Sequence, residues 1–361
     1  MKHSSKLLLV LLLIMAVGLV ACSKKETPTS PIGDVGILLS ASHPLVRAAM
    51  LIQDKNTPKL MADPDVVGTA VTAGDDGNPA IMVLVLNEKA GLGVPAKIDG
   101  VNTKIIVTDR IVAMGTAAVS HKAKQTPPIQ LGTSGSWRYD LANGYCCGGT
   151  LGSLISVGGQ KRILSNYHVF ESDIVSGGNG RVAATGDYII QPGLIDVSCA
   201  AASAQNVATL VKTSSLPGSN VDCSSATIVS GLVNTNGSIL EIGTISASTI
   251  AASVNQAVKK SGRTTGLTRS TVSGLNATIS VTYENECAGG TAFTKTFTGQ
   301  ILVKNTRSRF LSGGDSGSLM VQDLTTNPKA VGLLFAGSSS IAVANPINSV
   351  LSFFGATMVG N

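Results

Sequence analysis

The chain has 361 residues, 43% of them hydrophobic and only 13% charged, and a formal net charge of +6. The positive excess is spread along the chain and not gathered into a stripe, so it reads as a solvated surface and argues against a nucleic-acid partner. With four histidines in all, candidates for general base catalysis are few.

The first 21 residues read as a targeting segment. Lys2 and Lys6 give a positive start, Leu7 to Val20 is apolar apart from Gly18, and the segment closes Leu19-Val20-Ala21-Cys22. The apolar run is short for the roughly 20 residues a spanning helix needs. Leu-Val-Ala-Cys resembles the bacterial lipobox, which implies a lipidated Cys22 as mature N-terminus and a membrane partner held through that lipid. The expected location is the cell envelope of a bacterium, facing the periplasm or exterior. Loss of Lys2 and Lys6 lowers the formal charge by two, to +4.

Residues 22–34 are polar and proline-containing, as suits a flexible tether. Residues 35–116 read as a separate, small α+β accessory domain. His43 to Met61 carries apolar Leu45, Ala48, Ala49, Leu51 and Ile52 near helical spacing. Val66 to Ala73 and Ala80 to Leu86 read as strands about the turn Asp75-Asp76-Gly77-Asn78. Lys104 to Thr108 and Ile111 to Met114 supply further short strands, with another turn at Ile98-Asp99-Gly100-Val101. No catalytic constellation is visible here. Residues 117–128, with Lys122, Lys124, Pro127 and Pro128, read as a linker. From 129 to 361, Val, Ile and Thr runs alternate with Gly, Ser and Asn clusters, the mark of a mainly β barrel or sandwich. Asn348 to Phe354 fits a short terminal helix.

Chemistry concentrates in Gly313-Gly314-Asp315-Ser316-Gly317-Ser318, which feeds the apolar run Leu319-Met320-Val321. A serine on such a turn is well presented to a carbonyl, and consecutive backbone N–H groups there converge on one point. The hydroxyl needs a base, usually histidine, oriented by a carboxylate. His3 falls in the leader, and His43 and His121 lie in polar N-terminal surroundings, which leaves His168 at the end of Ile163-Leu164-Ser165-Asn166-Tyr167. Asp222, entering the run Cys223 to Ile228, fits the acid, while Asp173, Asp187 and Asp196 are alternatives nearer in sequence. An α/β-hydrolase order fails because no histidine follows Ser316 and Ser318 stands where glycine is wanted. A subtilisin-like order would need its acid before His168, where no fitting motif occurs. The order His, Asp, Ser remains.

Residues from about 129 to 354 resemble a bacterial trypsin-like, chymotrypsin-fold serine peptidase. The motifs are Cys147-Gly148-Gly149-Thr150-Leu151-Gly152, Leu164 to Val169, Gly186 to Gly193 and Val221-Asp222. They continue with Lys260 to Thr268, Gly313 to Leu319, Val331 to Gly337 and Ala344-Asn345-Pro346-Ile347. The resemblance implies a double β-barrel, preceded here by the small α+β N-terminal domain, with the site in the cleft between barrels. It further implies His168 as general base, Asp222 as orienting acid, Ser316 as nucleophile, and the backbone N–H groups of Gly314 and Ser316 as oxyanion hole. Tyr167 stands where related enzymes often carry a small or polar residue.

Excluding Cys22, five cysteines remain, namely Cys146, Cys147, Cys199, Cys223 and Cys287. An odd number predicts a free thiol or an intermolecular bridge, with the pairing open. In digestive relatives the cysteine matching Cys147 pairs with one just after the histidine, and Val169 occupies that place here. The cysteines lack the C-x-x-C spacing of a zinc site, and neither metal nor organic cofactor is expected. Phe310, six residues before Ser316, and the strand residues Leu334, Phe335 and Ala336 are candidates for an uncharged substrate pocket. Arg263 reads as bracing a barrel or pairing a carboxylate. The sequence thus predicts an exported, lipid-anchored serine endopeptidase acting on polypeptide substrates. The alternative is a catalytically silent, peptide-binding lipoprotein of the same fold.

Overall fold

A computed structural model describes residues 39–111, 121–142, 145–171, 181–283 and 293–361. The leader, Cys22, the tether, Asp173 and Cys287 fall outside these residues, as does most of the strand expected at 111–114.

Helix α1 (Pro44–Leu60) and strands β1 (Val66–Ala73), β2 (Pro79–Val85) and β3 (Val101–Val107) come first. The first half of the body follows with β4 (Thr133–Trp137), β5 (Gly149–Leu151), β6 (Ser153–Val157) and β7 (Gln160–Ser165). Helix α2 (Tyr167–Phe170) leads on to β8 (Tyr188–Gln191), β9 (Gln205–Val211) and β10 (Ser224–Ile228). The second half holds β11 (Ala257–Gly262), β12 (Gly266–Tyr283), β13 (Phe293–Lys304) and β14 (Leu319–Gln322). It ends with β15 (Ala330–Gly337), β16 (Ile341–Pro346), α3 (Ile347–Phe354) and β17 (Ala356–Met358).

The architecture is mainly β. One sheet runs in the order β17-β6-β7-β10-β9-β8-β4-β5. Its two ends are joined by the chain itself, since only Gly152 separates β5 from β6, and the Gly152 N–H bonds the Leu164 carbonyl at 3.0 Å. Trp137, Leu151, Leu154, Ile163 and Phe170 fill its interior. The second sheet runs β11-β14-β15-β16-β13-β12, and β12 pairs back onto β11 from Ala257↔Thr271 to Gly262↔Gly266. That closure makes a barrel, which removes exposed strand edges. Val258, Val272, Phe310, Met320 and Leu334 lie in its core.

The N-terminal segment has the expected helix and strands, but its sheet is not separate. Strand β1 pairs with β12 at Leu275↔Val71, Thr278↔Thr69 and Ile279↔Gly68, and β2 and β3 extend the same sheet. Residues 37–361 accordingly form one compact unit. The cause lies in β12, whose 18 residues far outrun its pairing with β11. The overhang would present an open edge of backbone donors and acceptors, and β1 covers it. The buried face of α1 also differs from the expected one. Leu45 and Leu51 are exposed, whereas Val46, Ala49, Gln53 and Thr57 are buried. The polar pair is tolerated because Gln53 Nε2 donates to Thr69 Oγ1 at 2.8 Å and Gln53 Oε1 accepts from Asn276 Nδ2 at 2.8 Å.

Candidate active site

Asp222 has no exposed surface and lies just before β10, at the junction of both barrels. Its main chain is clamped from two sides. The Asn166 and Asn345 side-chain amides donate to its carbonyl at 2.7 and 3.2 Å, and its N–H donates to Asn345 Oδ1 at 3.2 Å. The carboxylate receives three donors. Tyr167 N–H reaches Oδ1 at 2.7 Å, while His168 Nδ1 and the Tyr283 hydroxyl both reach Oδ2, at 2.7 and 2.8 Å. Helix α2 explains the first contact, because its opening N–H groups have no intrahelical acceptor. An acceptor-only carboxylate at Nδ1 fixes the tautomer, leaving Nε2 as the basic nitrogen.

The two described alternative acids are engaged elsewhere. Asp187 accepts from Trp137 Nε1 at 3.0 Å and pairs with Arg181, and Asp196 takes the Arg263 guanidinium through two 2.6 Å contacts. Arg263 therefore meets both of its readings, as a buried brace that pairs a carboxylate. Of the other described histidines, His43 is exposed. His121 is buried between the Gly132 carbonyl at 2.8 Å and Glu241 at 2.6 Å.

Ser316 is 1% exposed, and its Oγ donates to the Phe335 carbonyl at 3.4 Å. The turn that carries it packs onto β5. Thr150 N–H donates to the Ser316 carbonyl at 2.8 Å, and a Cβ on Gly149 would stand 2.9 Å from that oxygen and 2.6 Å from the Val169 side chain. Gly149 therefore marks where the serine turn and the residue after His168 converge. Within the turn, Gly314 has φ +89°, and a Cβ there would lie 2.6 Å from Arg263 Nη1. Asp315, fully buried, anchors it. Its carboxylate accepts from the backbone N–H groups of Ser312, Thr264 and Thr265 at 2.9, 2.8 and 3.1 Å, with Lys260 Nζ at 3.3 Å. Burial pushes the Lys260 ammonium down from its ordinary range, and the Asp315 charge opposes that shift.

These anchors aim two backbone donors. In a trans peptide the C=O and N–H point in opposite directions. The Gly313 carbonyl accepts from Thr264 Oγ1 and the Asp315 carbonyl from Ser318 Oγ and N–H, so the N–H groups of Gly314 and Ser316 face the other way. Asp315, Gly317 and Ser318 donate their N–H groups to Ser312, Leu334 and Asp315 carbonyls, whereas Gly314 and Ser316 donate theirs to no acceptor among the described residues.

The profile of the Nal1 C-terminal domain family matches residues 199–345, a span with Asp222 and Ser316 but without His168. No curated protein matches the chain. Among solved structures, a glutamic-acid-specific serine protease, described as using a histidine triad in substrate binding, is 18% identical, with a TM-score of 0.43 over 64% of this chain and 100% of its own. Thermobifida fusca protease A is 21% identical, with a TM-score of 0.42 over 64% of this chain and 99% of its own. Cellulomonas bogoriensis chymotrypsin is 23% identical, with a TM-score of 0.37 over 59% and 91%.

The four pocket candidates are all buried and fall into two clusters. Phe310 and Leu334 share the interior of the second barrel, and Phe310 is pinned through its N–H to Asn305 Oδ1 at 3.0 Å and its carbonyl to Thr268 Oγ1 at 2.8 Å. Phe335 and Ala336 belong instead to the cluster that holds Tyr167, Leu216 and Tyr283. Ile111 completes that cluster and is fully buried in it. Just upstream, Thr108 Oγ1 meets the Ser338 and Ser340 hydroxyls at 2.8 Å each, and Asp109 accepts from Ser339 Oγ. The described part of the N-terminal segment thus reaches the turn that follows the strand beside Ser316, a placement local sequence patterns do not signal. Of the cysteines, Cys146 is bonded to Cys199 and Cys147 is also disulfide-bonded, while Cys223 is a free, buried thiol. Burial, and secondarily Asp222, push the Cys223 thiol well above its ordinary range.

Proposed function

We propose that this chain is a serine endopeptidase that works through an acyl-enzyme, with His168, Asp222 and Ser316 as its triad. The observation that carries the reading is the buried Asp222 carboxylate bound to His168 Nδ1, next to a serine turn with two undonated N–H groups. His168 Nε2 takes the Ser316 proton as Oγ attacks the scissile carbonyl. The N–H groups of Gly314 and Ser316 stabilise the oxyanion, and His168 then returns the proton to the leaving amine. Water repeats the sequence to release the acyl group. The steps need no metal or organic cofactor.

Polypeptide substrates suit the geometry of β15. Its pairing with β14 ends at Leu333 and its backbone hydrogen bonds to the serine turn end at Leu334, leaving the 3.4 Å contact of Ser316 Oγ with the Phe335 carbonyl, so among the described residues β16 is the one strand paired with the stretch from Phe335 to Gly337. An extended peptide adds to such an edge through main-chain hydrogen bonds. Export and anchoring through a lipidated Cys22 belong to the same proposal, carried by the Leu19-Val20-Ala21-Cys22 motif.

A fluorophosphonate probe tests the chemistry. The expected result is label on Ser316, with hydrolysis lost in Ser316→Ala and His168→Ala by a factor of about 10⁴ to 10⁶. Undiminished hydrolysis in Ser316→Ala would sink the proposal.

A further inference from the structure

We infer that Tyr283 is a positioning residue for the His168–Asp222 pair, its hydroxyl fixing the carboxylate that orients the imidazole. The inference rests on the serine peptidase reading for its kinetic consequences, but not for its geometry. Tyr283 ends β12 and is 3% exposed. Its hydroxyl donates to Asp222 Oδ2 at 2.8 Å, on the oxygen that also meets His168 Nδ1 at 2.7 Å.

The ring has little freedom to leave. It stacks on Phe293 at 5.0 Å with 9° between planes, a cross-strand pair set by the register Tyr283↔Phe293. Its edge contact with the His168 ring has centroids 5.9 Å apart at 61°. One aromatic side chain therefore limits the imidazole sterically and the carboxylate electrostatically. Burial pushes the phenol well above its ordinary range, and the Asp222 charge adds to the shift, so the hydroxyl stays protonated and remains a donor.

The division of labour at Asp222 follows. Tyr167 N–H holds Oδ1 from helix α2, and Tyr283 holds Oδ2 from strand β12, so the carboxylate plane has one orientation. The donors also share its negative charge, which moderates the attraction on a protonated His168. Among the described residues, other ionisable groups nearby include Glu171 and Cys223 on the β10 side. Glu171 is bound by Ser224 Oγ and by Thr213 and Ser214 N–H, and Cys223 is buried beside Asp222. Neither is bonded to Tyr283.

The test is Tyr283→Phe in the full chain, which keeps the ring, its stack and its contact with His168. The structure predicts a kcat lower by about ten- to hundredfold, the span expected for losing a hydrogen bond to a charged group, with KM nearly unchanged. The acid limb of the kcat/KM profile should move to higher pH, because a less shared Asp222 charge stabilises imidazolium more. The low-field proton resonance of His168 Nδ1–H, identified by its loss in His168→Gln, should also shift. A merely structural tyrosine would lower thermal stability and leave the pH profile and the resonance in place, and that result overturns the inference. If wild-type protein neither labels at Ser316 nor cleaves peptides, the peptidase reading fails by itself. The resonance still decides, since a shift supports the role of Tyr283 and an unmoved signal refutes it.

Discussion

At the scale of single residues, the site depends on buried charges that each have a stated partner, and Glu171 is a carboxylate whose burial opposes its charge. It caps α2, is fully buried, and burial pushes its carboxyl above the ordinary 4.5 despite bonds from Ser224, Thr213 and Ser214. The folded protein therefore holds this proton more tightly than the unfolded chain does. The contribution of Glu171 to stability falls as pH rises from about the ordinary value through the raised one, and stays low above it. Glu171→Gln removes that slope. The melting temperature of the variant minus that of wild type should be larger at pH 7 than at pH 4, as read by calorimetry. An equal difference at both pH values would show that Glu171 titrates normally. As candidates, His168 and Ser316 were legible in the sequence because histidine is scarce and the turn is bounded by glycines. Asp222 was legible because it enters an apolar run. Tyr283 was not, since a tyrosine at the end of a long strand reads as core and nothing local ties it to Asp222.

At the scale of elements, the informative piece is the segment ahead of the barrels. Its helix and strands follow from apolar spacing and the Asp75–Asn78 turn, and appear as Pro44–Leu60, Val66–Ala73 and Pro79–Val85. Their partners do not follow from that spacing. The pairing of β1 with β12 joins residues about 200 positions apart in the chain and is decided by which edge would otherwise stay open. The same docking buries Ile111 in the cluster that holds Tyr167, Phe335 and Ala336. Where that cluster covers the proposed substrate edge, access competes with burial of an isoleucine side chain, worth about 1.5 to 3 kcal/mol. Ile111→Ala should weaken the cover and raise the rate of fluorophosphonate labelling at Ser316 by about tenfold or more, provided the melting temperature stays well above that of the assay. Unchanged labelling kinetics in a folded variant would show that Ile111 does not limit access.

At the scale of the whole molecule, the two barrels meet at the candidate site, one supplying His168 and Asp222 and the other Ser316, so the proposed catalytic geometry depends on their packing and not on the membrane. The proposed lipid at Cys22 is then an anchor only. A diacylglycerol adds two acyl chains, each CH₂ worth about 0.8 kcal/mol on burial, and two chains hold far more firmly than one. No helix among the described residues is long and apolar enough to cross a membrane. Wild-type protein should nevertheless sediment with membranes and partition into detergent, and its intact mass should show a modified cysteine at the mature N-terminus. Cys22→Ser should prevent lipidation and leave the uncleaved precursor or a soluble, differently processed product. A form beginning near Pro31 should be soluble and still hydrolyse peptides, because residues 37–361 pack as one unit. An unmodified Cys22, or a different mature N-terminus, would defeat the anchor while leaving the roles of His168, Asp222 and Ser316 untouched.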